Sequence, residues 1–139
     1  MNILKRFWVL EGLDGAGTTT QLNLLEKKYN TGKNTVITTC EPSHFPTGKL
    51  IRRILSGEIS SAASTIARLF SADRDNHLFN PECGIIRMIE NGKTVISDRY
   101  LFSSLAYQSI DLDFDFVYGL NSDFPLPQVT FYLDTPLDI

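Results

Sequence analysis

Gly12-Leu13-Asp14-Gly15-Ala16-Gly17-Thr18-Thr19 stands between the apolar run Phe7-Trp8-Val9-Leu10 and a helical stretch, and its reading decides the fold. The spacing fits the phosphate-cradling pattern G-x-x-x-x-G-K-[ST], with Thr18 at the lysine position. The glycines let the backbone turn tightly and bring several N–H groups toward phosphate oxygens. The helix that follows directs its positive dipole end at the same anion. Both devices belong to the backbone and are intact. The side-chain cation that would reach the β- and γ-phosphates is missing, while Thr19 keeps the hydroxyl expected to ligate Mg²⁺. The expected phosphate-contacting set is Gly12, Asp14, Gly15, Ala16, Gly17, Thr18, Thr19 and Thr20. A glycine-rich turn that binds nothing is the alternative, but the preceding strand and following helix are the context this motif demands.

Outward from the loop, Phe7-Trp8-Val9-Leu10 reads as a buried strand of a parallel sheet. A helix is expected over residues 18–29 and a β-branched strand over 35–39, completing a right-handed βαβ unit. Two prolines bracket Cys40-Glu41-Pro42-Ser43-His44-Phe45-Pro46, which must leave the carboxyl edge of that strand as a loop. Helical spacing follows over 48–55 and 61–80, and a further helix is expected over 81–91, with Pro81 in its first turn. Thr94-Val95-Ile96-Ser97 is a third strand that delivers Asp98-Arg99-Tyr100 to the same edge. Helices over 102–109 and 111–119, a loop over 121–127 and a fourth strand over 128–133 complete the order. The fold class is α/β, three layers around a parallel sheet.

The 139 residues suit one domain with one sizeable core. Hydrophobic content of 42% and charged content of 21% are ordinary for a soluble globular chain. A net charge of −3 argues against a generic nucleic-acid or anionic-membrane binder. No apolar run approaches a membrane span, and Cys40 and Cys83 form no disulfide or zinc spacing, so a cytoplasmic protein with reduced thiols is expected.

Two further constellations carry chemistry. Phe70, Arg74 and His77 share one face of the long helix, and an aromatic ring beside a guanidinium suits a nucleobase. The alternative is a core Phe with a surface Arg–Asp pair. Asp98-Arg99 at a strand's carboxyl end can serve Mg²⁺ or a hydroxyl on one side and phosphate on the other. Its alternative is a buried ion pair closing the sheet. His44 and Tyr107 read as packing or loop-tip residues.

Together these stretches resemble the thymidylate kinases. The resemblance runs through Phe7 to Gly17, Glu41-Pro42, Gly48-Lys49-Leu50-Ile51-Arg52, Leu69-Phe70-Ser71-Ala72-Asp73-Arg74 and Val95-Ile96-Ser97-Asp98-Arg99-Tyr100. It continues through Ser103-Ser104, Ala106-Tyr107-Gln108 and Thr130-Phe131-Tyr132-Leu133-Asp134, in the family's order. It implies a P-loop NTPase-type fold with a five-stranded parallel sheet, four strands of which lie here. The expected activity is ATP-dependent phosphorylation of dTMP to dTDP, with Mg²⁺, in a cytoplasmic homodimer that binds neither nucleic acid nor membrane.

By family role, Asp14, Asp98 and Arg99 are the catalytic set, with Thr19 and Asp98 toward the metal. Asp14 would serve the sugar 3′-hydroxyl or the magnesium, Phe70 would stack on thymine and Arg74 would bind its edge. Arg99 with Arg52 would grip the acceptor phosphate, Tyr107 would crowd the sugar 2′ position, and Gln108 would lie near the base. Two departures stand out, Thr18 for lysine and a loop without its own arginine. Family members with such a loop supply the catalytic cation from a lid after the strand ending near Asp134. The expectation is one domain over 1–139 lacking the lid, last strand and last helices. A catalytically impaired nucleotide-binding homologue and a kinase for another nucleotide are the alternatives.

Overall fold

The computed structural model describes residues 2–136. The chain runs β1 (Ile3–Gly12), α1 (Thr18–Tyr29), β2 (Val36–Cys40), α2 (Pro46–Leu55), α3 (Ala63–Phe79) and α4 (Ile85–Glu90). It continues β3 (Thr94–Asp98), α5 (Leu101–Gln108), α6 (Phe114–Asn121) and β4 (Leu126–Leu133). The strands pair in parallel in the order β2-β3-β1-β4.

Alternation along β1 builds two faces, because successive strand residues point to opposite sides. Phe7 and Val9 pack with Val95, Leu78, Ile85, Tyr100, Leu101 and Phe124, from the side of α3, α4 and α5. Leu10 turns the other way, onto Leu22, Val36 and Ile96, with Trp8 and Leu25 against that cluster beside α1. The result is helix, sheet and helix in three layers, as the sequence implied. Burial of each such apolar side chain contributes about 1.5–3 kcal/mol.

Several boundaries differ from expectation, α6 at Phe114–Asn121 rather than 111–119 among them, and three have a local reason. β1 begins at Ile3, ahead of the apolar run, and its register shifts between Leu4 and Trp8, where Arg6 takes a φ of 63°. β4 begins at Leu126 and includes Pro127. Leu126 donates its N–H to Asn2 O (2.8 Å), so the next residue's nitrogen points away from β1, where proline loses nothing. The helix expected from Pro81 starts at Ile85. Asn80 Oδ1 accepts from the N–H groups of Glu82 (3.0 Å) and Cys83 (3.2 Å), which stabilises a turn in competition with a helical start.

Parallel pairing brings the carboxyl ends of β1, β2 and β3 side by side, with Leu10 and Cys40 both in register with Asp98. The P-loop, the 41–45 loop and the Asp98-Arg99-Tyr100 segment therefore leave the sheet at one edge, where ligands of open α/β sheets bind.

Candidate active site

The loop after β1 needs left-handed backbone at Gly15 (φ 80°) and Gly17 (φ 94°), conformations glycine adopts without a Cβ penalty. Ala16 N donates to Leu13 O (3.0 Å), closing the turn, and Thr135 Oγ1 donates to Ala16 O (3.1 Å) from the end of β4. Gly17 caps α1 without any side-chain hydrogen bond, which leaves the first N–H groups of a 12-residue helix facing the loop. Thr18 is buried in the position where a lysine would project.

Thr19 follows on the helix and donates from Oγ1 to Asp98 Oδ2 (2.7 Å). The second oxygen of that carboxylate, Oδ1, is buried without a partner among the described residues. A hydroxyl beside a carboxylate with an unengaged oxygen is a hard-oxygen donor set, and it fits Mg²⁺.

Arg99 joins this half of the site to the other. Its backbone takes a φ of 71°, a left-handed conformation costly for an arginine, and is held there by Arg99 N donating to Leu10 O (2.8 Å). The guanidinium then reaches back over the loop, with Nη1 donating to Gly12 O (2.9 Å) and Nη2 to Asp14 Oδ1 (2.7 Å). Nη1 also donates to Ser103 Oγ (3.2 Å), and the guanidinium lies 5.5 Å from the centre of the Tyr107 ring. Beneath it is Glu11, a residue the sequence reading gave no role. Glu11 Oε1 accepts from the N–H groups of Tyr100 (3.0 Å) and Ser103 (3.3 Å), and Oε2 from Ser103 Oγ (2.5 Å). Burial pushes the Glu11 carboxyl above its ordinary pKa, against the opposing pull of these donors and of Arg99.

From Arg99 a cavity of about 750 Å³ extends between α2, α3 and α5. Asp14, Phe70, Arg74, Arg99, Tyr107 and Gln108 all line it, so the structure brings together every residue expected at an acceptor nucleotide except Arg52. Arg52 instead donates to the carbonyls of Pro42 and, at 2.6 Å, Ser43. It holds the 42–43 backbone and does not line the cavity. Ile54, Leu55, Ile59 and Ile66 add apolar surface to its lining.

Arg74 is 1% exposed and is not the surface residue of the alternative reading. Its Nε (2.9 Å) and Nη2 (2.6 Å) both donate to Glu41 Oε2. Nη2 also donates to Ser104 Oγ (3.0 Å) and Nη1 to Asn121 Oδ1. His77, one turn along α3, donates from Nδ1 to Glu41 Oε1 (3.1 Å), and its Nε2 lies 2.6 Å from Thr39 Oγ1. Burial opposes ionisation of Glu41, but the Arg74 charge and the His77 contacts outweigh it and hold the carboxyl below the usual range. Neighbouring Asp73 is buried too, and accepts from Ser43 N (2.7 Å) and Ser43 Oγ (2.6 Å), which ties the 41–45 loop to α3. Nor does Asp98 pair with Arg99 to close the sheet, since Arg99 takes Asp14 as its partner.

A sequence model of the family described as thymidylate kinase matches residues 10–139. This chain belongs to the thymidylate kinase family. It is 44% identical over 139 residues to a protein of Treponema pallidum (strain Nichols) named "Putative thymidylate kinase", covering 100% of this chain and 66% of that protein. It is 40% identical over 136 residues to a "Probable thymidylate kinase" of Methanococcus aeolicus, covering 97% and 64%. Among solved structures, the crystal structure of thymidylate kinase from Ehrlichia chaffeensis superposes with a TM-score of 0.79 at 30% identity, covering 93% of this chain and 72% of that one. The chain thus spans about two thirds of the length of the curated relatives it matches. Among its described residues no helix is long and apolar enough to cross a membrane.

Proposed function

We propose that the protein transfers the γ-phosphoryl group of ATP to dTMP, giving dTDP, with Mg²⁺, in the cytoplasm and as a homodimer. The observation that carries this reading is that one cavity has two chemically distinct sets of lining residues. Arg99 and Asp14 join it to the P-loop, and Phe70, Arg74 and Gln108 line it as well.

Of the second set, Phe70 offers a ring face for stacking and Arg74 offers a donor. Gln108 Oε1 is buried without a partner among the described residues, an acceptor in the same cavity, and Gln108 Nε2 shares Ser104 Oγ with Arg74. Thymine presents a carbonyl acceptor and an adjacent N–H donor on the matching edge. Cytosine presents an amino donor and a bare nitrogen there, so both contacts would be lost. A site built around such hydrogen bonds rejects the mismatched base, because its own buried groups are left unpaired. Tyr107, beside Arg99, crowds the sugar 2′ position.

Beside the P-loop the chemistry is mostly placement and charge compensation. A phosphate monoester is largely dianionic near neutral pH, with a second pKa of about 6, so the attacking oxygen needs no general base. Arg99 holds that phosphate against the loop, and Asp14 orients Arg99. The backbone N–H groups of residues 15–19 take the donor phosphates. Thr19 and Asp98 would hold Mg²⁺, which when bound neutralises charge on the β- and γ-phosphates.

Thr18 supports a second reading, a nucleotide-binding homologue with little turnover. Measuring ADP release with dTMP, dUMP, dCMP and dGMP separates the two. Turnover greatest with dTMP is the expected result. Nucleotide binding by calorimetry without turnover on any acceptor would replace the first reading by the second.

A further inference from the structure

Asn121 ends α6, outside every motif on which the family resemblance rests, and is 2% exposed. Its Nδ2 donates to Val117 O one turn back (2.8 Å), which turns Oδ1 toward α3, where it accepts from Arg74 Nη1. A guanidinium only donates and a carbonyl only accepts, so the two bonds fix the same orientation of the amide. The end of α6 is tied to α3 a second time by Ser71 Oγ, which donates to Leu120 O (2.8 Å).

An arginine has five N–H groups. In Arg74 the Nε–H and one Nη2–H go to Glu41, the other Nη2–H to Ser104 and one Nη1–H to Asn121. The remaining one is the second N–H of Nη1. Glu41 grips Nε and Nη2 through a single oxygen, Oε2, and one atom acts as a pivot. The rings of Tyr100 and Phe124, 5.0 and 5.8 Å from the guanidinium, restrain its tilt. Ser104 at Nη2 and the Asn121 carbonyl at Nη1 both oppose rotation about that pivot, and Asn121 is the partner that engages Nη1 itself.

We propose that Asn121 is a positioning residue for acceptor selection: by occupying one Nη1–H of Arg74, it presents the other as a single aimed donor that selects a 4-keto over a 4-amino pyrimidine nucleotide. The inference rests on the acceptor reading given above. It extends the site to a helix that supplies no lining residue near the base.

The test compares wild type with Asn121→Ala and Asn121→Asp by calorimetry with dTMP and dCMP. A hydrogen bond to a charged group is commonly worth a tenfold factor or more, so Asn121→Ala should lower the dTMP-to-dCMP affinity ratio by about tenfold. Asn121→Asp retains an oxygen opposite Nη1 and should recover most of that ratio. A ligand-free readout accompanies both: the Arg74 side-chain ¹⁵N signals, restricted in wild type, should show freer guanidinium rotation in Asn121→Ala. A variant that melts lower but keeps the wild-type ratio and Arg74 signals overturns the inference, since Asn121 would then act through packing alone. Should Asn121→Ala fail to fold, Asn121→Ser carries the same comparison. If wild type binds no dTMP, the acceptor reading fails, and the Arg74 signals alone decide whether Asn121 positions the guanidinium.

Discussion

The P-loop and the pocket around Arg74 leave the same carboxyl edge of the sheet, yet one is built from backbone and the other from buried side-chain charge. The loop offers N–H groups, a hydroxyl at Thr19 and an ion pair between Arg99 and Asp14 whose carboxylate is 89% exposed. The pocket offers Glu41, Arg74 and His77, all nearly excluded from solvent and bonded to one another. A backbone-built anion site tolerates a change such as Thr18, because glycine geometry and helix N–H groups do not depend on that side chain. A buried charge network does not tolerate the loss of a member, because each charge needs its partner.

The largest expected effect tests the pocket. Glu41→Ala strands the Arg74 charge and should cost about 3–5 kcal/mol in urea unfolding. A cost no larger than an ordinary surface substitution would show that the pocket is not held by this charge network.

Thr18→Lys tests the loop. Restoring one preorganised donor should raise the rate of ADP release by about 10²–10³. An unchanged rate would mean that another cation already serves the donor phosphates, and the contrast between the halves would narrow.

Stability against pH should separate the two buried glutamates by sign. Glu41 has its folded pKa lowered from 4.5, so its contribution is present above that value and is lost as pH falls through the folded pKa. Glu11 has its folded pKa raised from 4.5, so the folded state takes up its proton first and the contribution declines as pH rises through the raised pKa. Melting curves should therefore show Glu41→Gln losing its penalty on acidification. Glu11→Gln should be less destabilising at neutral pH than near pH 4. Equal pH dependence in both variants would contradict the assigned environments.

The smallest effect belongs to the exposed ion pair. Asp14→Ala should change stability by about 0.2–1 kcal/mol, whatever it does to turnover, because solvent screens the pair. A loss approaching that of Glu41→Ala would show the loop to be as tightly locked as the pocket.

Much of the site was legible in the sequence. Asp14, Phe70, Arg74, Arg99, Tyr107 and Gln108 were expected together and line one cavity. Phe70, Arg74 and His77 share a helix face as their spacing required. Arg52 was expected among them and does not line the cavity, because its guanidinium is taken up by the carbonyls of Pro42 and Ser43. Asn121, read as a loop residue, ends a helix and meets Arg74. Glu11 lies within the Phe7 to Gly17 stretch with no role assigned to it, since nothing local distinguishes a carboxylate that will receive two N–H groups from one that will face water.

The sequence by itself determined the strand, the glycine loop and the helix around Gly12 to Thr19, because those depend on local backbone preference and on side-chain period. The period of a strand also sets Phe7 and Val9 on the face opposite Trp8 and Leu10, but which layer each pair meets was decided by the packing. Tertiary structure alone decided the partners. Glu41 and Asn121 reach Arg74 from 33 and 47 residues away, and Arg99 finds Gly12 across 87. Those meetings depend on the register of β1, β2 and β3 and on how α6 packs against α3, which no local pattern encodes. A buried charge takes as partner whatever donor or acceptor the packed elements bring within reach, and here that choice set Glu41 and Asn121 against Arg74 and Glu11 against the Tyr100 and Ser103 N–H groups.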